Sequence, residues 1–204
     1  MMLYHTSDHV AKLFPKATFH MSRSEKVIYL TFDDGPHPEI TKWVLKELRK
    51  YKAKATFFCV GENLHNNPEF VDLYESEGHT IGNHTYNHLN GWKTPQKDYL
   101  VNVDKFQDVF SSKLFRPPYG KIGIKQIGAL SNDFKICLWD VLVGDFDKKL
   151  TNEQCLKHTL RHTGNGSILV FHDSLKAEKK MKWVLPQILE HFHQLGFIFE
   201  AIPA

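Results

Sequence analysis

The feature that most limits the possible folds is a regular alternation between short strand-like runs and segments with helical periodicity. The strand-like runs are rich in apolar, β-branched and aromatic residues, and they end near Phe32, Val60, Gly82, Arg116, Trp139, Phe171 and Phe199. Helices are predicted between most of them, over residues 39–51, 68–77, 96–110, 124–132, 153–163 and 179–195. Repeated strand–helix units are typical of a parallel sheet. The sequence therefore predicts an α/β protein, with either a barrel or an open doubly wound sheet.

Polar residues stand directly after the predicted strands, and their placement favours the barrel. They are Asp33, Asp34, His84, Arg116, Asp145 and His172. In a barrel of parallel strands the carboxyl ends converge on one mouth, where active sites are built. In an open sheet, residues from so many separate strand ends would be harder to bring together. We therefore predict a (β/α) barrel with seven strands.

The chain of 204 residues fits a single domain, with 42% hydrophobic and 24% charged residues. We predict that residues 1–25 form an N-terminal extension packing on the barrel, and that residues 26–204 form the barrel domain. The three cysteines, Cys59, Cys137 and Cys155, are widely spaced in apolar surroundings. This usage argues against a disulfide framework and against a cysteine metal site.

Charge and hydropathy exclude several kinds of partner. The net charge of +3 is small and contains no Lys/Arg block, so no nucleic-acid partner is predicted. No segment approaches membrane-spanning length, and residues 1–26 lack an apolar run of signal-peptide length. The sequence as given predicts a cytoplasmic protein, unless it is exported by another route or a leader has been trimmed from it. We expect a monomer.

Two segments, Thr31-Phe-Asp-Asp-Gly-Pro36 and Asn83-His-Thr-Tyr-Asn-His88, together indicate a metal centre. His84 and His88 have i, i+4 spacing, which on a helix places two imidazoles on one face. With Asp34 they make three ligands and leave one position open for water, as in catalytic zinc sites. Co²⁺ or Ni²⁺ would also suit this ligand set. The adjacent Asp33 points elsewhere and would remove a proton from the water.

A second histidine pair, His158 and His162, has the same spacing but a different setting. It lies inside a predicted amphipathic helix, away from strand ends and without a neighbouring aspartate. We interpret it as a solvated helix face. The strand-end position, and not the spacing, therefore distinguishes the first pair.

Other strand ends supply candidates for acid–base chemistry. Arg116 precedes a rigid Pro-Pro turn and would pair with a carboxylate, with Asp33 as the preferred partner. Backbone N–H groups around Tyr119 would stabilise an oxyanion. His172 ends a buried strand, where Asp145 would raise its pKa and orient it as a general acid. The set predicts metal-assisted hydrolysis with one base and one acid.

These motifs resemble carbohydrate esterase family 4, the polysaccharide deacetylases with a NodB-homology domain. The resemblance runs from about Lys26 to Phe199 and is closest in residues 31–36, 84–88 and 116–119. It implies a distorted β/α barrel, often with seven strands, that hydrolyses acetyl groups. Its substrates are usually N-acetylglucosamine units and sometimes acetylated xylan.

The resemblance also implies a role for each matched residue. Zinc or a similar ion would bind the two histidines of the second motif and the second aspartate of the first. Asp33 would be the base and His172 the acid, with Arg116 orienting Asp33 and Asp145 tuning His172.

The sequence departs from the family pattern at Leu142, which replaces an aspartate, at Phe146, which replaces a tryptophan, and at Val170, which replaces a leucine. Phe146 and Val170 would line the acetyl pocket, and Pro118 is placed with them. Trp92 lies in a loop near the mouth, where it would either stack on a sugar ring or cover the barrel end.

Three functions remain open at this point. The leading one is a metal-dependent N-deacetylase acting on N-acetylglucosamine units of a chitooligosaccharide or peptidoglycan type of glycan. The second is an O-acetyl xylan esterase using the same site. The third, from a different class, is a non-catalytic glycan-binding protein, but the sequence lacks none of the ligands or the base.

Overall fold

The computed structural model describes residues 4–203 and contains a curled sheet of short parallel strands. Its strands are β1 (Ala17–Thr18), β2 (Val27–Asp33), β3 (Ala55–Cys59), β4 (Thr80–Asn83), β5 (Leu114–Phe115), β6 (Lys135–Cys137), β7 (Val141–Leu142), β8 (Ile168–His172) and β9 (Ile198–Phe199). Its helices are α1 (Asp8–Ala11), α2 (Ile40–Lys50), α3 (Gly61–Asn66), α4 (Glu69–Ser76), α5 (Gln96–Gln107), α6 (Ile124–Leu130), α7 (Asn152–His162) and α8 (Glu178–Gln194), with a 3₁₀ turn at Pro118–Gly120. The alternation predicted from the sequence is confirmed.

The strand order is β1-β6-β5-β4-β3-β2-β8-β7, and β9 pairs with the start of β2. β6 and β7 are two halves of one extended segment that is interrupted at residues 138–140. β6 pairs with β5, whereas β7 pairs with β8. This segment therefore connects the two sides of the curled sheet. Within the described residues, the two sides of the curled sheet are thus joined by continuity of the chain and not by a hydrogen-bonded pair of strands. On the N-terminal side, β1 pairs with β6, and His5 forms an antiparallel bridge to Val141.

The alternation of side chains along β2 shows how the sheet separates the core from the barrel interior. Ile28, Leu30 and Phe32 are buried in the main apolar cluster together with residues of α2 and α8. Successive strand residues point to opposite faces. Thr31 and Asp33 therefore face the interior, and Asp33 is delivered to the mouth at the strand's end.

The prediction of an α/β protein with a distorted barrel is confirmed, although residues 4–203 contain nine strands rather than the expected seven. All seven predicted strand ends fall within two residues of an observed one. The two additional strands, β1 and β7, contain two residues each, which is too short for a detectable period. The predicted boundary between residues 25 and 26 stays a prediction. Among the described residues, no helix combines the length and apolar composition needed to cross a bilayer.

The interruption between β6 and β7 is stabilised by a buried carboxylate, Asp140, which is 1% exposed. Its oxygens accept hydrogen bonds from the Ile168 N–H at 2.7 Å, the Ser167 hydroxyl at 2.9 Å and the Arg23 guanidinium at 3.0 Å. These contacts join the bend to the start of β8 and to the N-terminal segment.

We expect Asp140→Ala to destabilise the fold by about 3 kcal/mol, because it leaves a buried N–H and a buried hydroxyl without their acceptor. The half-exposed Arg23 adds little to this loss, since water can solvate it. Urea unfolding would measure the change, with the exposed Asp133→Ala as a matched control. Equal losses in the two variants would contradict this assignment.

Candidate metal and acid–base site

The candidate site lies at the carboxyl ends of the strands, where the structure gathers the polar residues predicted from the sequence. Asp33 and His172 are the last residues of β2 and β8, and they are register partners on these neighbouring strands. His84 follows β4, and Arg116 follows β5. Parallel strands thus bring residues that are distant in sequence to one mouth.

Asp34, His84 and His88 form a cluster whose ligand atoms all lie within 4.8 Å of one another. The Nε2 atom of His88 is 3.1 Å from Oδ1 of Asp34, and the Nε2 atom of His84 is 3.8 Å from the same oxygen. One carboxylate oxygen and two imidazole nitrogens suit Zn²⁺ and related divalent ions. This is the only such group found among residues 4–203.

The hydrogen bonds around His84 leave it suited to bind a cation. Its Nδ1–H donates to the backbone carbonyl of Arg116 at 2.8 Å, so Nε2 is the unprotonated nitrogen that faces Asp34. Burial lowers the pKa of His84 to about 4, despite the nearby carboxylates of Asp33 and Asp34. A neutral imidazole oriented through its second nitrogen is the usual state of a metal ligand.

Asp34 supplies the anionic ligand of this cluster. Burial alone would raise its pKa, but hydrogen bonding to His88 and the positive potential of His172, His84 and His88 hold it well below the usual range. Its backbone has φ of 79°, and Asn63 donates a hydrogen bond to its carbonyl oxygen at 2.8 Å. The turn that carries the carboxylate is therefore fixed from two sides.

The prediction that His84 and His88 lie on a helix is wrong. Residues 84–90 are not helical, and Thr85 and His88 have positive φ values of 62° and 55°. Side chains organise this loop instead: Asn83 Oδ1 accepts the Thr85 N–H at 2.8 Å. Such Asx turns mimic backbone turns. The loop, and not a helical face, brings the two imidazole centroids to 5.1 Å.

Arg116 is completely buried and reaches Asp33, as predicted from its place before the Pro-Pro turn. Nη1 donates to Oδ1 of Asp33 at 2.7 Å and to the hydroxyl of Thr31 at 2.6 Å. Nε and Nη2 donate to the carbonyl oxygens of Cys137 and Leu138, each at 3.1 Å. The geometry leaves Oδ2 of Asp33 on the side of His84, at 3.9 Å from its Nε2.

His172 is held by Asp145 through two hydrogen bonds. Its Nδ1–H donates to Oδ1 at 2.9 Å, and its backbone N–H donates to Oδ2 at 2.8 Å. Burial would lower the pKa of His172, but the Asp145 carboxylate, helped by Asp34 and Asp33, raises it to about 9. The imidazolium form therefore predominates at neutral pH, as required of a proton donor.

Aromatic side chains stand on both sides of these groups. The ring of Tyr119 is 4.6 Å from that of His88, and the ring of Phe146 is 4.7 Å from that of His172. Trp92 is 69% exposed, and its indole N–H donates to the carbonyl oxygen of Ile122 at 3.0 Å. Pro118 is buried beside this mouth.

The remaining predicted pocket residue, Val170, lies deeper than the aromatic side chains. It is fully buried, two residues before His172 on the same face of β8.

Sequence reasoning missed several buried polar residues that support the site. Thr31 contacts Arg116, and Asp173 accepts hydrogen bonds from the Gly35 N–H at 3.1 Å and from the Thr41 hydroxyl. Thr31 reads as an ordinary β-former in a strand. Asp173 carried a detectable signal, because an aspartate directly after a buried strand is rarely left without partners.

The interpretation of His158 and His162 as a solvated face is also wrong. Both are only partly exposed: His162 stacks on His5, with ring centroids 4.4 Å apart, and Nε2 of His158 donates to the carbonyl oxygen of Tyr4 at 3.1 Å. These contacts with the N-terminal segment join residues far apart in sequence. The local helical pattern therefore gave no sign of them.

A comparison with protein families now places the chain. The family model described as polysaccharide deacetylase matches residues 20–132, more than half of the sequence. The chain belongs to the polysaccharide deacetylase family. The predicted resemblance is thereby confirmed.

Individual relatives agree with membership of the deacetylase family. A peptidoglycan-N-acetylglucosamine deacetylase of Bacillus cereus is 33% identical over an alignment of 192 residues, and the match covers 91% of this chain and 90% of that protein. A second B. cereus protein of the same name is 35% identical over an alignment of 154 residues, and the match covers 72% of this chain. The present chain spans only 56% of that second protein.

A solved structure shows the same fold. It is a peptidoglycan N-acetylglucosamine deacetylase in complex with 4-naphthalen-1-yl-N-oxidanyl-benzamide, with a TM-score of 0.81 and 30% identity. The match covers 91% of this chain and 90% of that one.

We predict that His172 titrates near pH 9 in the metal-free protein, since burial is outweighed by its carboxylate neighbours. It should be protonated below that pH and lose its proton above it. Asp145→Asn removes the principal charge, so the pKa should fall below the ordinary value of about 6.5. NMR titration of the imidazole signals would measure both, with the exposed His65 as an internal reference. An unshifted His172 in wild type would contradict the assignment.

Proposed function

We propose that this chain is a metal-dependent deacetylase that hydrolyses the acetamido group of N-acetylglucosamine units in a glycan of the peptidoglycan or chitooligosaccharide type. The observation that carries the proposal is the cluster of Asp34, His84 and His88 with a second carboxylate, Asp33, beside it. The names of the two B. cereus relatives support the choice of an N-acetylglucosamine substrate.

The two histidines and Asp34 would hold the ion, with Zn²⁺ preferred and Co²⁺ or Ni²⁺ as alternatives. When bound, the ion lowers the pKa of a water and polarises the acetyl carbonyl. The neutral state of His84 and the low pKa of Asp34 both favour cation binding, because neither ligand must first lose a proton at neutral pH.

Asp33 acts as the base in this proposal. Arg116 occupies Oδ1, so the carboxylate is fixed and Oδ2 is directed toward the histidine side of the cluster. A positioned carboxylate takes the proton from the attacking water without first reorganising. The proposed reaction therefore begins on the Asp33 side of the mouth.

His172 acts as the acid on the other side. It gives its proton to the glucosamine nitrogen as the C–N bond breaks, and Asp145 stabilises the imidazolium beforehand. The backbone N–H of Tyr119 is the proposed donor to the oxyanion, in a turn where that residue has φ of 63°. Base and acid thus have separate charged partners.

Aromatic and apolar groups would position the sugar. Trp92, Tyr119 and Phe146 offer ring faces near the mouth, and Trp92 is tied by its indole N–H to a neighbouring loop rather than free to rotate. Pro118 and Val170 would complete the wall of the acetyl pocket. The exposed position of Trp92 and Tyr119 suits a glycan chain lying across the mouth.

We predict that Asp34→Ala, His84→Ala and His88→Ala each lower zinc affinity at least about 100-fold, because each removes a ligand rather than a supporting group. Competition titration with a chromogenic chelator would measure the loss, and His65→Ala would serve as an exposed control. Retention of one tightly bound zinc by His84→Ala would place the ion elsewhere. Adding Zn²⁺, Co²⁺ or Ni²⁺ to chelator-treated wild type would rank the metals by restored acetate release.

We predict that Asp33→Asn retains metal but loses acetate release by roughly 10²- to 10⁴-fold, the usual contribution of a positioned base. The assay should compare acetylated chitooligosaccharides, peptidoglycan and acetylxylan, with Asp133→Asn as the control. Substantial activity of Asp33→Asn would remove it from the role of base.

The same panel separates the alternatives. Release from acetylxylan alone would identify an O-acetyl esterase. Glycan binding without any release, in metal-loaded wild type, would identify a binding protein on an enzyme fold.

A further inference from the structure

The N-terminal segment reaches the acid half of the site. We propose that Tyr4 is a positioning residue that holds the loop of residues 143–150, and through it Asp145, in register with His172. The inference rests on the proposed role of His172 as the acid. Tyr4 lies outside every motif described above, and it is far from Asp145 and His172 in the sequence.

The backbone of this segment is fixed beside β7. The carbonyl oxygen of Tyr4 accepts hydrogen bonds from the Leu142 N–H at 2.8 Å and from Nε2–H of His158 at 3.1 Å. The Thr6 N–H donates to the carbonyl oxygen of Asp140 at 2.9 Å. Tyr4 therefore sits at a defined position relative to the strand that leads into the loop.

The side chain of Tyr4 contacts the loop at two points. Its hydroxyl donates a hydrogen bond to the carboxylate of Asp147. Burial, with the contribution of this carboxylate, raises the pKa of Tyr4 to about 12, so the hydroxyl remains a donor throughout the physiological range. Its ring lies against Gly144, where an added Cβ would come within 2.9 Å of Cε1 of Tyr4.

The glycine at position 144 makes room for the ring of Tyr4. Its φ is 81°, a conformation that favours glycine, and the missing side chain leaves the space that the tyrosine ring occupies. The two contacts of Tyr4, at residues 144 and 147, lie on either side of Asp145 in sequence. They therefore hold the loop both before and after the carboxylate that binds His172.

Asp145 connects the loop to the proposed acid, His172. Its oxygens accept from Nδ1–H and from the backbone N–H of His172, and Oδ1 also accepts from the Phe146 N–H at 3.0 Å. A displacement of the loop would lengthen the two bonds to His172 together, because His172 lies on β8, whereas the Phe146 N–H moves with the loop. Since β7 contains only two residues, the strand gives the loop little support of its own.

Other contacts hold the loop from the helical side. Nζ of Lys180 donates to the carbonyl oxygens of Asp147 and Leu150, and Sγ of Cys155 donates to that of Gly144 at 3.5 Å. These contacts maintain the fold of the loop when Tyr4 is altered. The expected effect of a Tyr4 substitution is therefore a local loss of alignment rather than unfolding.

The charges that face His172 are those of Asp145, from the loop, and of Asp33 and Asp34, from the end of β2. Lys176, at the start of the segment after β8, lies 5.1 Å from the Phe146 ring centroid. Tyr4 is neutral, so its replacement changes none of these charges. A change in the titration of His172 would thus report on geometry.

The test uses the full chain with three substitutions: Tyr4→Ala, Tyr4→Phe and the control Phe14→Ala. Phe14 belongs to the same N-terminal segment and packs against Phe19, away from the loop. NMR would measure the pKa of His172 in metal-free protein, and acetate release by metal-loaded protein would give kcat and KM. Thermal unfolding would report stability for each variant.

Tyr4→Ala should lower the pKa of His172 by about one unit. Above about pH 9, where the lower pKa leaves less of His172 protonated, kcat should fall toward a roughly tenfold loss, with KM little changed because substrate contacts are kept. Tyr4→Phe keeps the ring on Gly144 and should show a smaller shift in the same direction. Phe14→Ala should lower the melting temperature alone. Unchanged His172 titration in both Tyr4 variants would overturn the proposal and leave Tyr4 a purely structural role.

Failure of this inference is distinguishable from failure of the proposed function. If wild type released no acetate from any glycan, the function would be wrong, but the NMR comparison would still test the coupling between Tyr4 and His172. If Tyr4→Ala did not fold, Tyr4→Phe alone would decide: a lowered pKa of His172 supports the positioning role, and an unchanged one rejects it.

Discussion

The buried guanidinium of Arg116 is the interaction on which the geometry of the site depends. Burying an unpaired cation is strongly unfavourable, so the surrounding strands must supply acceptors in fixed places. They do so from β2, through Thr31 and Asp33, and from the end of β6 and the bend that follows it, through Cys137 and Leu138. The group that fills the barrel interior is therefore also the group that aims the proposed base. A lysine could not replace Arg116, because its three N–H donors share one nitrogen, whereas the four bonds of Arg116 come from three separate nitrogens.

The site has two halves in which the charges are arranged in opposite ways. On one side a cation, Arg116, holds a carboxylate, Asp33, and on the other a carboxylate, Asp145, holds a cation, the imidazolium of His172. His84, whose Nε2 is 3.9 Å from Oδ2 of Asp33, is a neutral ring because burial lowers its pKa. Adjacent strands β2 and β8 carry the proposed base and the proposed acid, so a single register sets the separation of the two residues. This arrangement lets a base and an acid coexist at one pH.

Much of the fold and of the candidate site could be predicted from the sequence. The alternation of strands and helices is visible in the residue pattern, and parallel strands bring the polar residues that follow them to one end of the sheet. Asp33, Asp34, Arg116 and His172 were found in this way. The prediction that His84 and His88 lie on a helix failed because the same four-residue spacing also fits a turn. The observed turn depends on a hydrogen bond to the side chain of Asn83.

The other features that the sequence did not reveal have equally physical causes. Thr31 stands in a strand of β-forming residues, so its sequence context does not mark it as functional. β7 has only two residues, too few to show the alternation of a strand. The partners of the His158 pair come from residues near the start of the chain. Local patterns contain no information about contacts between distant segments.

The pairing of β2 with β8, and of His5 with Val141, has a consequence for how the protein is made. Each pair joins segments separated by most of the chain, so loop-closure entropy must be overcome before these contacts can form. During synthesis β2 can pair with β3 soon after both emerge, but β8, the partner on its other side, follows only after β3 to β7 have left the ribosome. The proposed base and the proposed acid therefore come together only after all of the strands between them in the sequence have been made.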